Sequence, residues 1–524
     1  MRFGRSLASV LLAAWCGAGT VRAESVLRIG APSEPETIDP VKSTGIYEGK
    51  IELELFEGLT IRDAAGKLIP GAAQSWDVSP DGLTYTFHLR PGLKYSNGEP
   101  LVAADFVYGF HRLVDPATGS ENVTLVEAIA HAADIESGKL TDFDQLGAAA
   151  PDEHTVVLTL WRPSNRLLDY AVAYFPARKA DIERYGNDWT RPGKLVGNGA
   201  FMLADWVPQS HIGMARNPYY RDAASVALDR VEYVVTGSPE TALKMFRAGE
   251  LDVAELPRTE IEWAKRNLAV ALKAEPQVGT YMIGLNVGVP PFDDPRLRQA
   301  LALVTDQEAI TRKIVRGDQV PAYGFVPPLI PGYPAVSEGF RGMKMTERTA
   351  LARKLYAEAG YGPDKPLHVQ LMVAKGREWD RWALALTGMW HDALGVEAEI
   401  DTQEWQVYLG RLNHHDFTAA VDDWIISSQA PSLLDEYRST SPSNEVQYNS
   451  AAYDRYLTEA DSAVDLPAEY SAYAKAERLL LDDQAIIPIY HAVTHRLVAS
   501  RVQGWIANPA DSHRSQYVSL APPS

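Results

Sequence analysis

The sequence predicts an α/β protein built from more than one lobe, and three observations carry that prediction. The chain has 524 residues, more than a single hydrophobic core organises, since one core stops growing near roughly 250–300 residues. Its 46% apolar content and its many aromatics are those of a globular chain rather than a disordered one. Strand-type and helix-type patterns alternate irregularly, with no internal repeat or low-complexity run, which suits mixed α/β lobes better than a regular βα array.

The elements follow in chain order. Arg2 and Arg5 form a short basic region, residues 7–14 a brief apolar stretch, and Val21-Arg22-Ala23 places small residues at −3 and −1 before Glu24. This pattern predicts a secretory signal peptide over residues 1–23 and a periplasmic protein. The apolar stretch is shorter than the ~20 residues that cross a bilayer. Trp15 precedes Cys16 where a lipid-modified cysteine needs a small residue, so soluble export without membrane insertion is expected. Cleavage removes Arg2, Arg5, Arg22 and the one cysteine, taking the net charge from −18 to −21 and excluding disulfide and thiolate chemistry. That acidity argues against nucleic acid or anionic membrane as partners.

Residues 83–89 alternate as a strand with Leu83, Tyr85, Phe87 and Leu89 on one face, between the turn pairs Asp81-Gly82 and Pro91-Gly92. Helices are expected at 103–113, 295–304, 346–359 (stopped by Gly360) and 468–483. Thr305-x-x-Glu308 reads as a capping box opening a helix through Ile310 and Ile314. Residues 485–490 form an apolar strand that Pro488 is expected to demote to an edge or a bulge.

Catalytic signatures are missing: there is no G-x-S-x-G elbow, Walker-type loop or H-E-x-x-H helix. Gly197-Asn198-Gly199 has two glycines of a dinucleotide loop, but Met202 stands where the third belongs, so it reads as a turn. His491 and His495 have the i, i+4 spacing that holds a metal on a helix; they follow a strand-like run, which is expected to keep them off a common face. His414-His415-Asp416 reads as a solvated loop. Asp422-Asp423 offers paired carboxylates, although adjacent carboxylates are common. The chain is expected not to be an enzyme, and no cofactor or metal is expected.

The run GAAQSWDVSPDGLTYTFHLRPGLKYSNGEPLVAADFVYGFHRL, residues 71–113, follows Phe56-Glu57-Gly58-Leu59. It is continued in order by Asn198-Gly199-Ala200-Phe201, Arg216-Asn217-Pro218-Tyr219-Tyr220, Ala248-Gly249-Glu250-Leu251-Asp252 and residues 291–298. Ala322-Tyr323-Gly324, Glu404-Trp405, Tyr448-Asn449-Ser450 and Ile487-Pro488-Ile489-Tyr490 complete the series. This collinear set resembles the extracellular solute-binding proteins of family 5, the oligopeptide- and dipeptide-binding proteins of ABC importers, and their oligopeptide branch best. The resemblance implies a periplasmic-binding-protein-like α/β fold of three lobes, two of which close on ligand about a hinge. Lobe I would comprise 24–56, 181–278 and 495–524, lobe II 57–180 and lobe III 279–494. It implies a monomeric receptor that captures oligopeptides, pairing with them as with an added strand and taking varied side chains into hydrated pockets, and delivers them to a membrane permease. A non-peptide solute such as an opine or sugar acid is the alternative; a chaperone or enzyme on the same fold is a third.

Residues 417–434 depart from the family. There, an aspartate captures the peptide's α-ammonium; anchoring on Phe417, Trp424 and Pro431 puts Ser427 at that position and Ser428 at the neighbouring tyrosine. The basic residue that some members use for a tripeptide carboxylate aligns with Val421, and an aromatic ligand contact aligns with Asn122. A buried ammonium without a counter-charge costs several kcal/mol, so another acid or another ligand end is required. Strand alternation sets Asp423 on the face of Ser427 and Asp422 on the other, which makes Asp423 the expected substitute. Trp405 matches the family's Glu-Trp pair near ligand, and Trp424 is expected to pack under its strand. Trp379 is expected in a charged surface loop, with Lys375 and Arg377 as candidates for a ligand carboxylate.

Overall fold

Two long strands, Leu272–Leu285 and Ile486–Val498, run antiparallel through the middle of the molecule and carry sheet on both flanks. They are almost wholly apolar over 278–285 and 486–493, as strands covered on both faces must be. The computed structural model describes residues 24–375, 379–426 and 431–522. The expected signal peptide, Arg377, Ser427 and Ser428 lie outside these described residues.

One flank of the eleven-stranded sheet adds Ala419–Ile426, His368–Ala374 and Glu397–Gln403, parallel to one another. The other adds Val253–Glu255, Val26–Ala31 and Arg230–Val235, with Val26–Ala31 parallel to both neighbours, then His211–Arg216 and Phe201–Val207. A separate antiparallel sheet holds Ala73–Val78, Thr84–Leu89, Thr155–Thr159 and Ala148–Asp152. Three large hydrophobic clusters form beneath these sheets. The largest draws on residues between Val278 and Ala492, the second on residues between Val41 and Tyr174. The third joins the first strand to 189–233, Val498 and Val518.

Most local expectations hold. Tyr85, Phe87 and Leu89 are buried on alternate positions of their strand. Helices cover Ala103–Val114, Pro295–Val304, Met345–Glu358 and Leu466–Asp482, and Gly360 takes φ +87°, the left-handed geometry that ends a helix. One expectation fails, and one is met by its second alternative. Thr305 is no cap: its hydroxyl donates back to the Leu301 carbonyl at the end of the preceding helix, and Asp306 caps the next turn through the Ala309 N–H. That turn continues as a π-helix, Ile310–Val315. Pro488 lies in a central strand rather than at an edge. The bulge expected there exists: Met282 pairs with Pro488 and Tyr281 with Tyr490, leaving Ile489 as the extra residue that accommodates a proline without an N–H.

The 197–199 segment, expected to be a turn, is irregular backbone with a bend at Gly199, pressed on the end of the helix Ile46–Leu55. A Cβ at Gly197 or Gly199 would lie 2.1 Å from the Leu55 carbonyl oxygen or 2.3 Å from that of Glu54, and Asn198 exchanges two hydrogen bonds with the Glu57 backbone.

A buried clamp ties the second cluster to the third. Arg112 donates two hydrogen bonds to Asp39 at 3.1 and 2.7 Å, and the Trp189 indole adds a third at 3.1 Å. Both charges are almost fully buried, so removing one strands the other. Asp39→Ala is expected to lower unfolding stability by about 3 kcal/mol, read from the urea midpoint; a loss below about 0.5 kcal/mol would mark the pair as dispensable.

Candidate functional site

Strand direction creates the cleft. Ile486–Val498 is antiparallel to both Val253–Glu255 and Leu272–Leu285, and Ala419–Ile426 is antiparallel to Leu272–Leu285. The carboxyl ends of the two parallel sets therefore point at one another across the long strands. Such ends are where open α/β sheets bind ligands.

From one set come Lys375, Glu404-Trp405 and Asp423-Trp424; from the other come Glu34, beyond the strand Val26–Ala31, and Arg258, beyond Val253–Glu255. Glu34 is held by the Trp206 indole at 2.7 Å and by Gln209, which keep its carboxyl below the usual range. Between the two sets the long strands present Tyr281 and Tyr490, stacked with ring centroids 4.6 Å apart. Arg258 donates to the Tyr281 hydroxyl at 2.8 Å and lies 5.4 Å from that ring. Asp423, paired in register with Tyr281, also hydrogen-bonds its hydroxyl. Burial pushes the Tyr281 phenol up, opposed by Arg258 and reinforced by Asp423.

Asp422 and Asp423 part company as strand alternation requires. Asp422 turns inward to Glu445; burial, then the charges of Glu445 and Asp423, push it well above the carboxylate range. It is no counter-charge for a ligand. Glu445 is pushed up to about 7 by burial.

The remaining expected residues divide. Trp405 is half-buried and stacks on Tyr408 at 5.7 Å. Trp379 corrects its expectation: it is buried in the helix Trp379–Leu394, edge-on to Tyr408 at 5.8 Å, because it packs into the largest hydrophobic cluster. Lys375 is exposed and ion-paired to exposed Glu404 at 2.7 Å, a contact of little worth in water. Both amide hydrogens of Asn122 go to the Pro40 and Ser43 carbonyls, so its amide nitrogen braces a loop. Trp424 packs against the largest cluster.

His491 and His495 are separated by distance rather than by facing, since positions four apart on a strand share a side but stand roughly 13 Å apart. His491 contacts the Thr280 hydroxyl at 2.8 Å and burial pushes it down to about 3, so it is neutral; His495 contacts Asp318. Sequence reading missed Arg258 and Tyr281. Tyr281 is hidden in an apolar run, and Arg258 has no local signature because its partners lie on other strands.

The raised pKa of Glu445 has a pH consequence. Between its ordinary range and about 7 the folded chain holds a proton that the unfolded chain releases, so this group lowers stability as pH rises through that window. Glu445→Gln is expected to gain stability relative to the parent between pH 5 and pH 8 in urea titrations. An identical difference at both pH values would show that the buried pair is not the source.

The model of the bacterial extracellular solute-binding proteins, family 5, matches residues 67–445. The chain is 35% identical over 521 residues to the periplasmic oligopeptide-binding protein OppA of Escherichia coli K12, covering 97% of this chain and 96% of that protein. Its structure is similar to the unliganded open form of the periplasmic murein tripeptide-binding protein MppA, with TM-score 0.85, 32% identity and coverage of 95% and 98%. It is also similar to Haemophilus influenzae OppA in complex with the peptide RPPGFSPFR, with TM-score 0.76, 30% identity and coverage of 95% and 99%.

Proposed function

Because the chain belongs to the family 5 bacterial extracellular solute-binding proteins, we propose that it captures peptides in the cleft between the two parallel strand sets and passes them to an ABC permease. It is a transport receptor, not an enzyme, and works in the periplasm. The observation that carries the peptide reading is identity of 35% over almost the whole length of an oligopeptide-binding protein, together with the likeness to a relative solved with a nonapeptide. The higher TM-score against an open form supports reading the described arrangement as ligand-free. Closure would turn on Leu272–Leu285 and Ile486–Val498, with lobe I at 24–56, 181–278 and 495–524, lobe II at 57–180 and lobe III at 279–494.

Asp423 is the proposed partner of a ligand ammonium, supported by its place at the cleft end of its strand beside Tyr281. Trp405 would line a side-chain pocket. Lys375 and Arg377 would meet a ligand carboxylate, and Ser427, Ser428, Trp379 and Asn122 would border the site.

Mass spectrometry of small molecules released by denaturing the purified protein is expected to show peptides; a consistent non-peptide solute would replace that reading. Asp423→Asn is expected to weaken free-amino-terminus peptides about tenfold or more in calorimetry, and to leave N-acetylated ones unaffected. Equal effects on both would remove Asp423 from the ammonium site.

A further inference from the structure

The chain reaches the largest hydrophobic cluster from the second only by way of residues 175–277, yet the two sides also touch directly. The contact is made by one short segment, residues 161–166, between the strand Thr155–Thr159 and the helical turn Leu167–Tyr170. The Tyr85 hydroxyl holds this segment at its base, donating to the Ser164 carbonyl at 3.1 Å. Arg166 then reaches across. It donates to Asp435 at 2.7 Å and to the Tyr473 hydroxyl, lies 5.5 Å from the Tyr473 ring, and faces Glu469 at 3.9 Å. Asn165 donates to the Ala463 carbonyl at 3.0 Å, and Arg162 lies 3.6 Å from Asp461.

This junction differs in kind from the Arg112–Asp39 clamp that ties the second cluster to the third. There the paired side chains are 8% and 7% exposed, so parting them strands a buried charge. Arg166 and Asp435 are 21% and 27% exposed, and Arg162 and Asp461 28% and 29%, so water can take over their bonds at small cost. Replacement partners also stand ready. Arg438 donates to Asp435 at 3.1 Å and to Asp461 at 2.8 Å, and the Tyr473 hydroxyl donates to Asp435 at 3.0 Å. Glu127 accepts from Arg162 at 2.9 Å. Both aspartates therefore keep a donor when the arginines leave. Packing agrees with this: a cavity of about 20 Å³ remains between the two sides, and the neighbouring Trp161, Val464 and Leu466 stay exposed.

We propose that residues 162–166 are a latch, which holds the open, ligand-free arrangement and releases when the cleft closes. Closure swings the lobe of the largest cluster about the long strands. The segment and its partners lie on neither of those strands, so the swing shifts one side past the other. A guanidinium fork keeps its bonds only over a narrow range of distance and angle. The incoming solute therefore works against the latch, and the population free to close sets the apparent affinity. The latch rests on the reading of the chain as a receptor that closes on its solute, and adds what fixes its resting state.

The test compares the mature parent with the double variant Arg166→Gln, Asp435→Asn, which removes both charges together. Small-angle scattering of the ligand-free variant is expected to give a smaller radius of gyration than the parent. The peptide RPPGFSPFR, present in the complex of the Haemophilus influenzae relative, is expected to bind about threefold to tenfold tighter. An unchanged or larger radius, or weaker binding, overturns the latch. If RPPGFSPFR binds neither protein, the peptide reading loses its support and the radius alone decides: smaller upholds the latch, equal or larger overturns it. Should the double variant fail to fold, Arg162→Gln with Asn165→Ala, which leaves Arg166 in place, is read in the same way.

Discussion

The antiparallel pairing of Leu272–Leu285 with Ile486–Val498 is the constraint on which the rest of the molecule depends. These strands bury their central residues, and each continues into sheet on both flanks. Their opposed directions oblige the parallel strands of the two flanks to present carboxyl ends to a common gap. A register slip of one residue would turn every buried side chain to the other face. The ladder is interrupted twice, between Pro276 and Thr280 and between Tyr281 and Met282, and the second interruption, with Ile489 as the extra residue, falls beside Pro488.

Polar groups converge on the same strands under two different regimes. Beneath the sheet, buried carboxyls serve the architecture. Glu477 accepts hydrogen bonds from the Phe325 and Val326 N–H groups and from Tyr333, each at 2.8 Å, and burial still pushes it up to about 7. Asp422 and Glu445 likewise face inward. In the gap, Arg258 is exposed and Asp423 half-buried around the buried Tyr281 and Tyr490, and their hydrogen bonds run from one flank to the other across the long strands. A ligand entering there meets preset donors and acceptors without requiring a buried charge to be stranded.

Much of this was legible before folding. Tyr85, Phe87 and Leu89 announce their strand by alternation, and helix limits follow from Asp294-Pro295 and Gly360 because caps and stops are local backbone chemistry. The opposite fates of Asp422 and Asp423 follow from the two-residue period of a strand. Expectations failed where a longer-range contact overruled a local motif. Thr305 resembles a cap until the preceding helix claims its hydroxyl. Pro488, by contrast, allowed an edge or a bulge by its missing N–H, and pairing with Leu272–Leu285 selects the bulge. Trp379, amid charges, resembles surface until Tyr408 packs edge-on against it.

The sequence by itself determined the family, the α/β alternation and the strands on which the cleft residues sit, since these reside in order and periodicity along one chain. Only the tertiary structure decided which side chains share a space. Arg258, Arg316 and Arg381 are separated by 58 and 65 positions, and no local pattern relates them. They line one cavity with Trp382 and Tyr490 because segments distant in the chain pack side by side in the fold.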